Sequence, residues 1–570
     1  MVFNDGSRIW TTTVVISVLC LWQVLALPSS YSGSRDAVEK RDGGYDLPIQ
    51  VRSIPRKLSR RGEVSGSIGL GNNADLLYTV PMRIGNTVAP LHIDTGSSDL
   101  WIASDRCTTN ACANSPIPRY PRSSMRSTQT DVQMFYGDST TGTFAFGEVA
   151  LDTATIAGVA MVDQPFGVVN DTDNPVVMFG TSGIFGLGFP SGSKVQSALT
   201  NTRTGSLFPT DDLIAATYTD GPLLSRISMT GELQMPMFTV TLQRSTIDIE
   251  GEGLLTIGRL PPGIDNSTLT WVPIRLYNAT EGGMRPPNFA PNEVYPFRWE
   301  IDIDGVYLNG RRLPDSTIPA RNGMDSRRNS ALLDTGNSIL RGPEDVVNNI
   351  LTTVSPNFDP DNANSLPSFP CQIPQTLAFE IGGKMFPIDP RDFIGQIEPN
   401  NARDCVADNL VSTDAPTISA LYRWSLGAPF FRSNLVAFHY GNLTHPSVDP
   451  PRIGILSNVP DNANELLLQA VRDARNNGGN FEQTLELPPT GHVETEVPRT
   501  VTRIPPSATS ETTYTLALSA TDIGNGGRVP QATGGPTTGS ENSGASSISN
   551  FVDSQRTLFS FVVLLALWSL

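Results

Sequence analysis

The chain has 570 residues, 39% hydrophobic and 17% charged, with 50 Gly and 45 Pro, so it can bury a sizeable core broken by many turns. Its formal charge of −16 repels phosphate backbones and argues against nucleic acid as a partner, and an acidic surface fits an acidic or extracellular workplace. Four His and five Cys, with no CxxC and no HExxH, offer no metal-ligand spacing, so neither a metal nor another cofactor is expected.

In chain order, residues 1–27 read as a secretory signal peptide: Arg8 precedes an apolar run, Ile9 to Leu27, that ends at Pro28. A retained signal anchor is the alternative, but no basic cluster follows the run. Cleavage near Ala26 removes Cys20 and leaves four cysteines, an even number suited to two disulfides in an oxidising compartment. Residues 28–61 carry two dibasic sites, Lys40-Arg41 and Arg60-Arg61, with Arg52, Arg56 and Lys57 between them. A basic prosegment ahead of an acidic body suggests electrostatic self-inhibition, and an ordinary charged linker is the other reading.

The body, 62–457, consists of short apolar or alternating runs such as Leu76 to Ile84, Met237 to Leu242 and Trp299 to Leu308, broken by Gly, Pro, Asn and Asp. Helical periodicity is scarce, which predicts an all-β domain or pair of domains. Sequons at Asn170, Asn266, Asn278 and Asn442 predict N-glycans on surface loops. After a short helical-looking stretch, Glu465 to Arg475, the chain becomes rich in Thr, Ser, Pro and Gly, so residues 458–542 read as an O-glycosylated stalk. The terminus Leu558 to Leu570 is too short to span a bilayer and follows a polar spacer and the small residues Asn542, Ser543 and Gly544. That is the layout of a GPI-attachment signal, with Asn542 as the attachment residue and 543–570 removed. A frayed hydrophobic end is the alternative.

Two segments of the body repeat one pattern: Leu91-His92-Ile93-Asp94-Thr95-Gly96-Ser97-Ser98 and Ala331-Leu332-Leu333-Asp334-Thr335-Gly336-Asn337-Ser338. A single Asp-Thr-Gly after a strand usually marks only a turn. Two copies 240 residues apart suggest two similar lobes, 62–245 and 246–457, that each bring one Asp to a shared cleft. Two carboxylates a few ångströms apart cannot both ionise cheaply, so the pair holds one proton across acidic pH and supplies both an acid and a base.

On these motifs the body resembles the pepsin-like aspartic proteases. The resemblance extends to Trp101 in Asp-Leu-Trp, to Tyr136-Gly137-Asp138-Ser139 where the family has its flap tyrosine, and to Ile184-Phe185-Gly186-Leu187-Gly188. It includes Leu426-Gly427 ahead of Phe430-Phe431 as well. It implies a bilobal all-β fold, an aspartic endopeptidase acting on protein and peptide substrates, a monomer, and catalysis without a covalent intermediate. It implies the bridges Cys107 with Cys112 and Cys371 with Cys405, although spacing alone leaves three connectivities open. By the same resemblance Thr95 and Thr335 link the two loops, Gly96 and Gly336 allow close approach of substrate, Ser97 hydrogen-bonds the first carboxylate, and Tyr136 caps the cleft from a mobile hairpin. Asn337 stands where the family usually has Thr or Ser and is expected to donate to the second carboxylate. Ala428 stands where an Asp is common. Insertions around 191–233 and 277–296 are expected to be surface loops.

Asp138, just past the flap tyrosine, would pair with a substrate Lys or Arg before the cut bond. His92, two residues before Asp94 on the same strand face, would line that pocket and oppose a cation if protonated. Signal peptide, prosegment, protease body, stalk and anchor together resemble the fungal GPI-anchored, yapsin-type proteases of the plasma membrane or cell wall. With only four residues between Cys107 and Cys112, the processing of yapsin into two subunits is not carried over. The rival is a catalytically dead GPI-anchored binding or cell-wall protein on the same fold, against which the intact Asp, Thr, Gly and Tyr set argues.

Overall fold

One strand arrangement is built twice. In the N-terminal half the strand Thr87–Asp94 pairs in parallel with Gly183–Gly186, which pairs antiparallel with Leu100–Ala103. In the C-terminal half Ser330–Leu333 pairs in parallel with Trp424–Leu426, which pairs antiparallel with Leu340–Gly342. Strands buried on both faces need continuous apolar runs rather than alternation, which is why Ile-Phe-Gly and Ala-Leu-Leu read as they do. These relations come from a computed structural model that describes residues 66–487 apart from 74, 114, 138–141, 206–209, 322–328 and 418–420, plus the short strands Lys40–Arg41, Gly44–Tyr45 and Arg499–Thr500. The signal peptide, nearly all of the prosegment, the distal stalk and Asn542 lie outside the described residues.

The fold is mostly β, as the pepsin-like resemblance implies. The strand that ends at Asp94 lies in a ten-stranded sheet and the strand that leads to Asp334 in a five-stranded one. A six-stranded sheet connects them, taking strands from residues 66–69, 237–241 and 254–257 and from 270–273, 434–439 and 452–457. Above it an aromatic cluster fills the centre: Trp299 lies 4.2 Å from Phe189 and 5.1 Å from both Phe438 and Tyr440, between ring centroids. Trp299 Nε1 and the Tyr440 hydroxyl both donate to the Leu187 carbonyl, at 3.0 and 2.7 Å. Leu187 N–H in turn donates to the Asp94 carbonyl at 2.8 Å. Buried aromatic packing from the second half therefore holds the backbone of the first catalytic loop. Both disulfides form, Cys107 with Cys112 and Cys371 with Cys405.

The folded body runs past Ser457, where the sequence reading placed the start of the stalk. Helix Ala463–Asn476 buries Leu467, Ala470, Val471 and Ala474, an i, i+3, i+4, i+7 stripe. Beyond it Thr484 N–H donates to the Ser245 carbonyl at 2.9 Å, and the strand Leu485–Glu486 pairs with Gly71–Asn73. Burying Leu467 and Val471 contributes about 1.5–3 kcal/mol each, enough to hold this segment on the body. Of the sequons, Asn170 is exposed but sits at an irregularity in the strand Val159–Thr172, not in a loop. Asn278 is exposed and caps a short helical turn, whereas Asn266 and Asn442 are half-buried and accept hydrogen bonds from Trp271 and Thr444.

Candidate active site

Asp94 and Asp334 each sit where an apolar strand runs out into a turn at the floor of a cleft of about 510 Å³. The two turns grip one another. Thr95 Oγ1 donates to the Leu333 carbonyl at 2.7 Å and accepts from Thr335 N–H at 2.9 Å. Thr335 Oγ1 donates to the Ile93 carbonyl and accepts from Thr95 N–H, each at 3.0 Å. Both threonines are 1% exposed, so these bonds are closed to water and fix one turn against the other.

Gly96 and Gly336 are required by close approach to the opposite carboxylate. A Cβ on Gly96 would lie 2.5 Å from Asp334 Oδ1, and one on Gly336 would collide with Asp94 Oδ1. Gly96 N–H donates to Asp94 Oδ1 at 2.8 Å and Gly336 N–H to Asp334 Oδ1 at 2.9 Å. The Ser97 hydroxyl donates to Asp94 Oδ2, as expected. Asn337 does not repeat that contact. Its Nδ2 donates to Ser425 Oγ at 3.0 Å, and its Oδ1 accepts from Ile339 N–H at 3.2 Å. Asp94 therefore accepts two hydrogen bonds from its own loop and Asp334 one. Burial and the neighbouring Asp94 charge raise Asp334 to about 7, against the opposing pull of Gly336 N–H and Arg298.

His92 is 1% exposed and lines the cleft beside Asp94. Its Nδ1 lies 2.9 Å from the Tyr78 carbonyl, which can only accept, so a neutral ring bonded there carries its proton on Nδ1. Burial lowers the His92 pKa, outweighing the Asp94 charge. Tyr136 ends the hairpin strand Arg126–Tyr136, lines the cleft and pairs with Thr143 on the returning strand. Gly137 follows with φ of 81°, a left-handed turn conformation that favours glycine. Asp138 lies outside the described residues. Trp101 does not line the cleft: it is fully buried beneath the flap, and its indole N–H lies toward the Tyr136 hydroxyl. Ala428 is buried, and its N–H donates to the Asn337 carbonyl at 2.8 Å.

Two cleft groups carried no sequence signal. Arg298 is stacked between the Phe297 and Tyr422 rings, at 5.3 and 5.8 Å, where its charge favours ionised Asp334. Arg341 lies on the same wall. Neither belongs to a motif, because what brings them to the cleft is the fold of the second half. Ser425 left a trace, as the one polar residue of Trp424-Ser425-Leu426, but not its partner 88 positions away.

Residues 77–445 match the family described as eukaryotic aspartyl protease. Among curated proteins the chain is 26% identical to chymosin of Ovis aries over 408 residues, covering 70% of this chain and 86% of that protein. It is 26% identical to pepsin A of Suncus murinus over 380 residues, 65% of this chain and 81% of that protein. To pepsin A of Sus scrofa it is 25% identical over 386 residues, 66% and 82% of the two chains.

Proposed function

Because the chain belongs to the eukaryotic aspartyl protease family and is an aspartic endopeptidase, we propose that it cuts protein and peptide substrates outside the cell, tethered to the surface by a GPI anchor. The observation that carries the chemistry is the gripped pair of Asp-Thr-Gly turns, which holds two carboxylates within the reach of one another's glycines. At acid pH the pair holds one proton; burial and the Asp94 charge raise the Asp334 pKa, so we take Asp334 as the acid and Asp94 as the base. Asp94 removes a proton from a water between the carboxylates as that water attacks the scissile carbonyl. Asp334 gives its proton to the carbonyl oxygen during that attack, giving a neutral tetrahedral diol. On collapse the C–N bond breaks, Asp94 passes its proton to the leaving nitrogen and a diol hydroxyl returns a proton to Asp334. Tyr136 closes over the substrate and excludes bulk water.

The cellular part of the proposal is drawn from the chain ends: a signal peptide, a basic prosegment, a Ser/Thr-rich stalk and the GPI layout around Asn542. Two disulfides suit the oxidising route this implies. A basic residue before the cut bond is part of the same reading, with Asp138 as its partner. Burial lowers the His92 pKa, which weakens its opposition to that cation. The test is cleavage of a peptide library by the mature enzyme with and without pepstatin, beside Asp94→Asn, together with release of the protein from cells by a GPI-specific phospholipase. Pepstatin-sensitive cleavage lost in the variant, enrichment of Lys or Arg before the cut and phospholipase release are expected. An inert enzyme freed of its prosegment would return the chain to the binding-protein reading.

A further inference from the structure

The two insertions are not independent surface loops. Asp211 of the first accepts from the backbone N–H and the Nδ2 of Asn288 in the second, each at 2.6 Å, and the Ser191 hydroxyl donates to the Pro296 carbonyl. Between them lies a cavity of about 580 Å³. One wall is the helix Lys194–Thr204, which presents Ser197, Thr200 and Asn201, and the other is Gly282 to Arg285. Among the described residues no carboxylate lines it, in a chain with 56 acidic residues, whereas Lys194 and Arg285 both do. Both cations are exposed, and neither makes an ion pair among the described residues.

The cavity adjoins the catalytic cleft. Phe297 lines the cavity and its neighbour Arg298 lines the cleft. Gly192 of the cavity wall approaches so near Ser98, beside cleft residue Ser97, that a Cβ there would lie 2.8 Å from Ser98 Oγ. The two hollows therefore share a border, at Phe297 and Arg298 on one side and at Gly192 and Ser98 on the other. Two neighbouring acids are engaged: Asp99 lies buried beneath, accepting from Ser193 Oγ and from the N–H groups of Lys194 and Val195 at 2.6, 2.8 and 3.1 Å, and Asp211 is held by Asn288. With those helix N–H groups already bonded, recognition of a ligand falls to the two cations and the hydroxyls.

We propose that this cavity is an extended substrate subsite that takes an acidic side chain of the peptide being cut, paired with Lys194 and Arg285. The proposal rests on the endopeptidase reading of the adjoining cleft. A carboxylate suits it because a guanidinium fork and an ammonium face it across a pocket with no competing anion.

The test uses the full chain, activated, and quenched peptides in which one Glu is moved stepwise along both sides of the cut bond, each with a Gln twin. At one fixed position kcat/KM for Glu should exceed that for Gln about tenfold through KM, with the advantage shrinking as salt rises. The Glu-to-Gln ratio should fall toward one in Lys194→Gln/Arg285→Gln and reverse in favour of a Lys peptide in Lys194→Glu/Arg285→Glu. The Gln twin, cut by the same preparation, reports how much of each variant is folded. Equal cleavage of Glu and Gln peptides at every position, or an advantage that survives the double substitution, overturns the proposal. Failure to cut any peptide would instead contradict the endopeptidase reading and remove the proposal with it.

Discussion

The two catalytic loops share a backbone and differ in one side chain. Gly188 N–H donates to the Ser97 carbonyl at 2.8 Å in the first, and Ala428 N–H donates to the Asn337 carbonyl at 2.8 Å in the second. The threonines are exchanged reciprocally, and each glycine N–H holds its own carboxylate. The symmetry ends at the residue after glycine. Ser97 reaches the carboxylate of its own loop, while Asn337 turns away to Ser425. A donor stabilises a charged acceptor, so the loop that lacks it is where a proton is held most readily. The repeated loop thus supplies two similar positions for acid and base, and the donor missing at Asn337 adds to burial and the Asp94 charge in favouring the proton on Asp334.

Substitutions separate the symmetric features from the asymmetric one. Asp94→Asn and Asp334→Asn should each lower kcat by at least about a thousandfold, since neither loop can supply acid and base alone. Thr95→Val and Thr335→Val should cost similar stability, about 2–3 kcal/mol by denaturant unfolding, because each removes one donated and one accepted bond at a buried site. Unequal losses would show that the grip is less symmetric than its hydrogen bonds. Ser97→Ala should lower kcat/KM about tenfold, whereas Asn337→Ala, which touches no carboxylate, should change it by less than about threefold. Equal effects from the last two would break the comparison.

The dyad, its threonines and glycines, Ser97 and the flap tyrosine were legible in the sequence because each belongs to a short strand-turn motif whose geometry is local. The repeated motif also announced the doubled architecture. What sequence could not place were contacts whose partners lie far along the chain. Asn337 resembles a donor to its neighbour until Ser425, on a strand folded against it, offers a competing acceptor. Arg298 reaches the cleft through aromatic stacking that no spacing encodes. The helix Ala463–Asn476 was legible as a stripe, yet the composition that follows it obscured its attachment to the body. Trp101 was legible as part of Asp-Leu-Trp, but it lies fully buried and does not line the cleft.

The pH dependence of kcat/KM, followed from pH 2 to 8 in the enzyme and in Asn337→Thr, tests the assignment of the proton most directly. Asp334 must be protonated to donate to the scissile carbonyl, so activity should be retained at acid pH and lost as pH rises through about 7. Thr at 337 restores a donor to the Asp334 carboxylate, favours its charged form and should move that loss about one unit toward acid. An alkaline limb already in the ordinary carboxylate range, or one unmoved by the substitution, would contradict the account.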